Sequence, residues 1–108
     1  MDDEPYAKKS DQGRYKCAKC GTLLFDSDTK FDSGTQWPSF RKELPDSVAT
    51  KMDYSSGMAR VEILCKKCGQ HLGHVFDDGR LCGDSHKEAG KRFCVLSSAL
   101  AFEEKKKR

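Results

Sequence analysis

The chain has 108 residues, of which 36% are apolar and 34% are charged, and a formal net charge of +3. This length predicts one domain, near the size at which a hydrophobic core alone gives marginal stability. No apolar stretch approaches the roughly 18 residues of a membrane span. The modest charge, part of it in residues 105–108, argues against nucleic-acid binding. Because residues 1–4 are acidic and no apolar segment follows them, we expect no secretory signal.

The N-terminal third predicts two strands on either side of a tight cysteine turn. Residues 1–13 are polar and are expected to form a flexible lead-in. Residues 14–17 and 22–25 predict the strands that enter and leave the turn. Residues 26–30 have turn chemistry, and residues 31–36 predict a loop.

The middle of the chain predicts a short helix followed by a strand. Pro38 suits the first helical position, so a helix is predicted over residues 39–44, where Pro45 ends it. Residues 58–65 alternate in polarity, with Val61 and Ile63 on the same side. This alternation predicts a half-buried strand.

The C-terminal part predicts three further strands joined by turns. They comprise residues 74–76, 92–96 and 99–102, with a turn at residues 77–79 and a polar loop at 81–90. We therefore predict a mostly β domain of short antiparallel strands in two sheets, with few or no short helices. It is expected to cover residues 14–103, before a basic tail at 104–108.

Two Cys-x-x-Cys pairs, Cys17/Cys20 and Cys65/Cys68, are the most informative pattern in the sequence. Two such turns supply the four thiolates of a closed tetrahedral site, so the pattern predicts one Zn²⁺ ion per chain. Because no coordination position is left for substrate, this zinc is expected to be structural and to join two distant segments. A redox pair and disulfides are the alternatives. Zinc-type spacing and the absence of a secretory signal favour a reducing compartment, cytoplasmic or, in a eukaryote, also nuclear.

Two cysteines, Cys82 and Cys94, remain after the presumed metal ligands. Cys94 lies two residues after Arg92, and a nearby cation favours the reactive thiolate form of a cysteine. His71 and His74 can donate protons near neutral pH. Such a set is the minimum equipment for thiol-based nucleophilic catalysis. On these residues alone, a buried apolar cysteine and structural histidines are the more common explanation of the pattern.

The order of several longer strings decides between these interpretations. Trp-Pro-Ser-Phe at residues 37–40, His-Leu-Gly-His-Val-Phe-Asp-Asp-Gly at 71–79 and Arg-Phe-Cys at 92–94 resemble the methionine-R-sulfoxide reductase (MsrB) family. The likeness runs from about residue 15 to residue 102. It implies a β-rich fold whose zinc site lies away from a shallow active site. It also implies reduction of the R epimer of methionine sulfoxide in oxidised proteins or peptides.

The resemblance implies catalytic roles residue by residue. Cys94 is similar to the nucleophile that attacks the sulfoxide sulfur. His74 is similar to the histidine that hydrogen-bonds or protonates the sulfoxide oxygen, and His71 to its partner. Asp78 and Arg92 match positions that orient this network and favour the thiolate.

Two aromatic residues complete the implied substrate site. Trp37 looks like the wall that receives the substrate's methyl group, although plain core packing is the alternative. Phe76 is assigned to the same substrate site. The resemblance also suggests thioredoxin as the reductant, and a monomer is the default expectation.

The chain departs from the family pattern in ways that affect recycling. Thr35 stands where many members have the recycling cysteine, and Leu96 stands where many have asparagine. The segment between Gly79 and Cys94 is longer than usual and contains Cys82. We hypothesise that Cys82 resolves the Cys94 sulfenic acid; otherwise a reductant attacks Cys94 directly. The alternatives to an enzyme are a non-catalytic zinc-stapled β binding module and a nucleic-acid-binding zinc ribbon.

Overall fold

A computed structural model describes Tyr6 and residues 12–35, 37–87 and 89–104, and these residues fold mainly as β-strands. The strands are, in chain order, β1 (Gly13–Cys17), β2 (Leu23–Asp26), β3 (Lys30–Phe31), β4 (Ser39–Phe40), β5 (Val48–Asp53), β6 (Arg60–Cys65), β7 (His71–Phe76), β8 (Arg92–Val95) and β9 (Leu100–Glu104). Two 3-10 turns, Ser27–Thr29 and Ser97–Ala99, are the helical elements among the described residues. Neither is long and apolar enough to cross a membrane.

These strands form two sheets. The smaller sheet has the order β2-β1-β9, and the larger one has the order β3-β4-β8-β7-β6-β5. Every strand pair is antiparallel. The prediction of a mostly β domain with two antiparallel sheets is therefore confirmed.

The core contains a cluster of aromatic rings contributed by both sheets. Tyr15 of β1, Phe25 of β2 and Phe40 of β4 are fully buried. The rings of Phe25 and Phe40 stack at a centroid distance of 4.3 Å, and Phe93 of β8 lies 5.7 Å from Phe25. Burying side chains of this size is worth about 1.5–3 kcal/mol each, which makes this cluster a principal source of stability.

The helix predicted over residues 39–44 is wrong. Ser39 and Phe40 form β4 instead, and they pair with Cys94 and Phe93. The next backbone donors also bond to distant segments, since the Arg41 amide donates to the Thr29 carbonyl at 2.8 Å. Tertiary pairing satisfies the backbone groups that a helix would have used, so the local preference set by proline is overridden.

The strand β5 was not predicted from the sequence. It is the edge strand of the larger sheet, and Thr50, Lys51 and Met52 are exposed. An edge strand with both faces partly in water lacks the regular polarity pattern on which strand prediction depends. β7 also begins earlier than predicted, at His71.

The ends of the domain meet in the smaller sheet. Gly13 of β1 pairs with Glu104 of β9, one residue beyond each predicted boundary of the domain. The flexible lead-in predicted for residues 1–13 and the basic tail predicted for 104–108 lie largely outside the described residues.

Candidate active site and metal centre

Cys94 lies near the middle of the larger sheet, on β8 between β4 and β7. Its Cα partners are Ser39 on β4 and His74 on β7. Neighbouring side chains of a strand point to opposite faces, so Phe93 and Val95 enter the core while Cys94 lies on the other face. Cys94 itself is only partly buried.

A cleft of about 290 Å³ lies over this face of the sheet. It brings together six of the predicted catalytic and substrate-binding residues. The lining consists of Thr35, Trp37, Arg60, His71, Gly73, His74, Phe76, Arg92, Cys94 and Leu96. A small cleft with a few convergent polar groups among apolar walls has the character of a substrate site. Asp78 and Cys82 are not part of the lining.

A β-bulge in β7 explains why both histidines face the cleft. Leu64 of β6 pairs with His71 and Ile63 pairs with Gly73, so Leu72 is an extra residue in β7. Residues three apart would otherwise point to opposite faces of a strand. The bulge brings the His71 and His74 rings to a centroid distance of 5.6 Å, while Leu72 is buried in the core.

Gly73 lets β7 approach β8 closely beside this bulge. Its φ is +157°, and a Cβ atom there would overlap the carbonyl oxygen of Cys94. Glycine is the residue for which such an approach carries no steric cost. The position of Cys94 opposite His74 therefore depends on the lack of a side chain at Gly73.

Two carboxylates that the sequence analysis missed hold the histidines. Nε2 of His74 donates to Oδ2 of Asp53 at 2.8 Å, and Nδ1 of His71 lies 2.7 Å from Oε2 of Glu62. The hydrogen bond from His74 is the main reason that the pKa of Asp53 is lowered, with Ser55 and Arg60 contributing. The side chain of Arg60 also donates to Oδ2 of Asp53, at 3.3 Å.

Asp53 was not recognised as a site residue because β5, the strand that carries it, was not predicted. Glu62 occupies an outward position of the alternating strand predicted at residues 58–65, and it pairs with His74 across β6 and β7. That outward position was the only sequence indication for either carboxylate.

Arg92 and Asp78 form an ion pair at the other side of Cys94. Nε of Arg92 donates to Oδ1 of Asp78 at 2.8 Å, and a second nitrogen donates to Oδ2 at 3.2 Å. This pairing lowers the pKa of Asp78 and raises that of Arg92. The Cys82 and Cys94 sulfurs raise the Arg92 pKa further, by smaller amounts. The Arg92 guanidinium also lies 4.6 Å from the centre of the Phe76 ring.

Trp37 forms an open wall of the cleft and is not a core residue. It is 37% exposed. The Thr35 hydroxyl accepts from the Trp37 amide at 3.3 Å and donates to the Trp37 carbonyl at 3.2 Å. Thr35 thus stabilises the turn that carries the indole, in place of the recycling cysteine found in many family members.

The four cysteines of the Cys-x-x-Cys pairs meet at one point. Their sulfur atoms all lie within 4.8 Å of one another, and the Cys17–Cys68 and Cys20–Cys65 distances are 3.6 Å. Zn–S bonds of about 2.3 Å in a tetrahedron separate the sulfurs by about 3.8 Å. A disulfide would require about 2.05 Å. The donor set therefore fits a structural zinc ion and not a pair of disulfides.

The turns that carry these cysteines are alike. The Gly21 amide donates to the Cys17 carbonyl, and the Gly69 amide donates to the Cys65 carbonyl, both at 2.8 Å. The pKa of Cys20 is lowered to about 6, mainly by a hydrogen bond from the Thr22 hydroxyl. The lower pKa favours the thiolate form, which metal binding requires. None of the four cysteines lines the cleft.

Comparisons with known proteins agree with this architecture. The SelR domain family model matches residues 2–104. "Peptide methionine sulfoxide reductase MsrB" of Leptospira interrogans is 50% identical over 97 residues, which cover 89% of this chain and 70% of that protein. The chain belongs to the MsrB family. The protein of the same name from Burkholderia mallei is 48% identical over 104 residues, covering 95% of this chain and 69% of that one.

The fold also occurs in a protein of known structure whose sequence differs widely from this one. The crystal structure of the Mis18 "Yippee-like" domain superimposes with a TM-score of 0.66 at 14% sequence identity, covering 89% of this chain and 99% of that one. At this identity the likeness concerns the fold alone. Within that shared fold, the family assignment of this chain rests on the SelR match and its MsrB relatives.

Removing zinc is expected to unfold the domain. Structural zinc sites contribute on the order of 10 kcal/mol of apparent binding free energy, and this one joins the β1–β2 turn to the β6–β7 turn. Chelation should therefore abolish the near-ultraviolet circular dichroism of the aromatic core. Cys82→Ser serves as the matched control and should respond to chelator like the wild type. A metal-free sample that kept its cooperative unfolding transition would contradict the structural role.

Replacing Gly73 with alanine should displace Cys94 from His74. The new methyl group would collide with the Cys94 carbonyl, so we expect a loss of stability of about 1–3 kcal/mol and a fall in activity of at least about tenfold. Urea denaturation and turnover of a sulfoxide peptide measure the two effects. Gly90→Ala, where nothing lies within 4 Å of the new Cβ, should leave stability nearly unchanged. Equal behaviour of the two variants would refute the close-approach argument.

Proposed function

We propose that this chain reduces the R epimer of methionine sulfoxide in peptides and proteins, with Cys94 as its nucleophile. Membership of the MsrB family and about 50% identity to proteins named peptide methionine sulfoxide reductase make it an oxidoreductase of that class. The observation that carries the proposal is the half-buried Cys94 thiol at a cleft, directly across the strand pair from His74.

The first step forms a bond between sulfur and oxygen on the enzyme. The Cys94 thiolate attacks the sulfoxide sulfur and forms a transient S–S bond while the sulfoxide oxygen takes up a proton. The S–S bond and the substrate S–O bond then break as the hydroxyl group moves to the Cys94 sulfur. The substrate is reduced by two electrons to methionine, and Cys94 is oxidised to a sulfenic acid. A general acid is required because an unprotonated oxygen is a poor leaving group.

His74 is proposed to supply this proton. Its Nε2 is engaged by Asp53, so Nδ1 is the nitrogen that would reach the sulfoxide oxygen. When both ring nitrogens of His74 are protonated, the ring can donate from Nδ1 while Nε2 remains bound to Asp53. His71, held by Glu62, lies edge-on to His74 and extends the polar side of the cleft.

Arg92 is proposed to favour the thiolate form of Cys94. The two residues lie on the same face of β8, and the Arg92 guanidinium is oriented by Asp78 through two hydrogen bonds. A fixed cation beside a thiol stabilises the negative charge. Because Asp78 is outside the cleft lining, its proposed role is to position Arg92 and not to contact substrate.

Different side chains of the cleft support selectivity for one epimer. The exposed indole of Trp37 and the ring of Phe76 offer apolar surface for a methyl group, and the histidines offer donors for the oxygen. A sulfoxide sulfur carries an oxygen, a methyl group, a side-chain carbon and a lone pair. Once the oxygen and the methyl group are fixed, the two epimers differ in the side on which the side-chain carbon leaves, so one epimer is selected when the peptide can leave the cleft on one side only.

Recycling is proposed to involve Cys82. The Cys82 thiol attacks the sulfenic sulfur of Cys94, an S–S bond forms, the S–O bond breaks, and the oxygen leaves as water with the thiol proton. Thr35 cannot carry out this step. The Cys82 amide donates to the Asp78 carbonyl at 3.0 Å, and the Asp78 carboxylate binds Arg92, two residues before Cys94; these contacts support the pairing. A dithiol reductant, for which thioredoxin is our proposal, then returns two electrons to the disulfide.

The epimer specificity and the nucleophile can be tested in one assay. With dithiothreitol as reductant, the wild type should reduce a peptide containing the R sulfoxide and leave the S sulfoxide unchanged. Cys94→Ser should lose at least about 10³-fold in rate, since serine is a far weaker nucleophile. Chromatography of the separated epimers measures both. Turnover of the S epimer alone, or full activity of the serine variant, would overturn the proposal.

The recycling role of Cys82 has its own test. After one turnover without reductant, mass spectrometry should detect a Cys82–Cys94 disulfide in the wild type and a sulfenic acid on Cys94 in Cys82→Ser. Methionine formation should occur at the same rate in both, because Cys82 acts after the first step. If thioredoxin recycles Cys82→Ser as fast as the wild type, the reductant attacks Cys94 directly and Cys82 has no recycling role.

A further inference from the structure

The longest connection of the larger sheet, the Cys82 loop (residues 77–91), joins β7 to β8. The Gly79 amide donates to the Gly90 carbonyl at 2.9 Å and closes the loop at its base. Inside it, the Cys82 amide donates to the Asp78 carbonyl at 3.0 Å, and the Asp84 amide donates to the Gly79 carbonyl at 3.1 Å. Cys82 therefore lies in a hydrogen-bonded turn and not in an extended part of the loop.

This turn is fixed to the body of the domain by one buried ion pair. Nε of Arg41 donates to Oδ2 of Asp84 and a terminal nitrogen of Arg41 donates to Oδ1, both at 2.9 Å. The side chains are 10% and 2% exposed, respectively. A bidentate pair of this geometry constrains orientation as well as distance, because the planar guanidinium matches both carboxylate oxygens.

Arg41 is itself held rigidly. A further nitrogen of its guanidinium donates to the Asp28 carbonyl at 3.1 Å, and its backbone amide donates to the Thr29 carbonyl at 2.8 Å. Its guanidinium also lies 5.8 Å from the centre of the Phe31 ring. The side chain is thus anchored to the edge of the larger sheet before it reaches the loop.

The ion pair connects the two cysteines through a short path. Cys94 pairs with Ser39, and Arg41 follows Ser39 by two residues. Arg41 binds Asp84, and Asp84 follows Cys82 by two residues. Between Cys82 and Asp84, Gly83 adopts a φ of +97°, a conformation in which other residues are strained. Each link in this path is a strand pairing, a bidentate bond or a turn, so little freedom remains between the two sulfur-bearing residues.

From this geometry we infer that Arg41 and Asp84 are positioning residues that hold Cys82 where it can attack the Cys94 sulfenic acid. The inference rests on the proposed recycling role of Cys82. Neither residue lines the cleft, so their effect should fall on disulfide formation and not on sulfoxide reduction. The ion pair also explains how a 15-residue loop can present a cysteine in one position, since a loop without such an anchor would spread the thiol over many conformations.

The ion pair persists across the neutral pH range. Its hydrogen bonds to Arg41 lower the pKa of Asp84 below its usual value. A carboxylate whose pKa is lowered on folding stays ionised at every pH above its unfolded-state pKa. Its contribution to stability is lost only as the pH falls through the lowered, folded-state pKa. His86 also acts on this carboxylate, since its amide donates to Oδ1 of Asp84 at 3.2 Å and its side chain lowers the Asp84 pKa slightly. We therefore expect the Arg41–Asp84 ion pair itself to be retained near neutral pH.

The experiment separates the two chemical steps in the zinc-loaded protein of residues 1–108. The reduced enzyme is mixed with one equivalent of R-sulfoxide peptide without reductant and is quenched with acid at successive times. Methionine peptide reports the first step, and the Cys82–Cys94 disulfide, detected by mass spectrometry, reports the second. Asp84→Asn should form methionine at the wild-type rate and should form the disulfide about 10- to 100-fold more slowly.

Two further variants distinguish positioning from general destabilisation. Arg41→Lys keeps the charge but loses the bidentate fork, so it should slow disulfide formation by an intermediate factor. Asp46→Asn removes a carboxylate from an exposed ion pair with Lys66 and should leave both steps unchanged. Asn also tolerates the positive φ of Asp46, 63°. If Asp84→Asn fails to fold, the rate of disulfide formation in Arg41→Lys tests the inference by itself.

The outcomes are distinct. Slower disulfide formation with unchanged methionine formation supports the inference. A wild-type rate of disulfide formation in Asp84→Asn or, failing that, in Arg41→Lys overturns it, and so does an equal slowing of both steps. If the wild type itself forms no Cys82–Cys94 disulfide, the recycling part of the proposed function fails, and the positioning role fails with it, while sulfoxide reduction by Cys94 stands.

Discussion

The antiparallel pairing of β7 with β8 is the constraint on which the candidate active site depends. It sets His74 directly across from Cys94 and Phe76 across from Arg92, so thiol, imidazole and guanidinium share one face. Strands in a sheet lie about 4.8 Å apart, which brings the side chains of paired residues within reach of one substrate group. The opposite face of β8 carries Phe93 and Val95 in the core, which prevents the strand from rotating. The geometry of the site is thus a direct consequence of sheet register.

Strand register alone would leave His71 on the opposite face of the sheet from His74 and Cys94. A local irregularity in β7 brings it to their face. The bulge at Leu72 shifts the alternation by one residue, and the buried side chain of Leu72 fixes the shift in place. The four-cysteine cluster lies at the turn just before β7, since Cys65 ends β6 and Cys68 precedes His71 by three residues. A zinc ion at that cluster would stabilise the turn from which β7 starts. The structural metal therefore bears on catalysis through the position of a strand end and not through contact with substrate.

Much of this arrangement could be predicted from the sequence, and the failures have physical causes. The cysteine spacing predicted the cluster, and the ordered strings around Trp37, His74 and Cys94 predicted the family, because both are local patterns with strong chemical requirements. The helix predicted after Pro38 failed, since β4 is defined by hydrogen bonds to segments that are distant in sequence. Asp53 could not be recognised as the partner of His74, because its strand is a polar edge whose role appears only after the sheet has formed.

Two charged pairs and several apolar side chains surround Cys94. Asp53 is bonded to His74 and Asp78 to Arg92, while Leu96, Phe76 and Trp37 contribute apolar surface to the same cleft. Leu96 offers no side-chain hydrogen bond to a bound substrate. An apolar side chain also excludes water, and electrostatic interactions are stronger where the effective dielectric constant is lower. In the proposed reaction, the lack of a polar group at Leu96 would therefore be partly offset by stronger action of the two pairs on the thiolate and the sulfoxide oxygen.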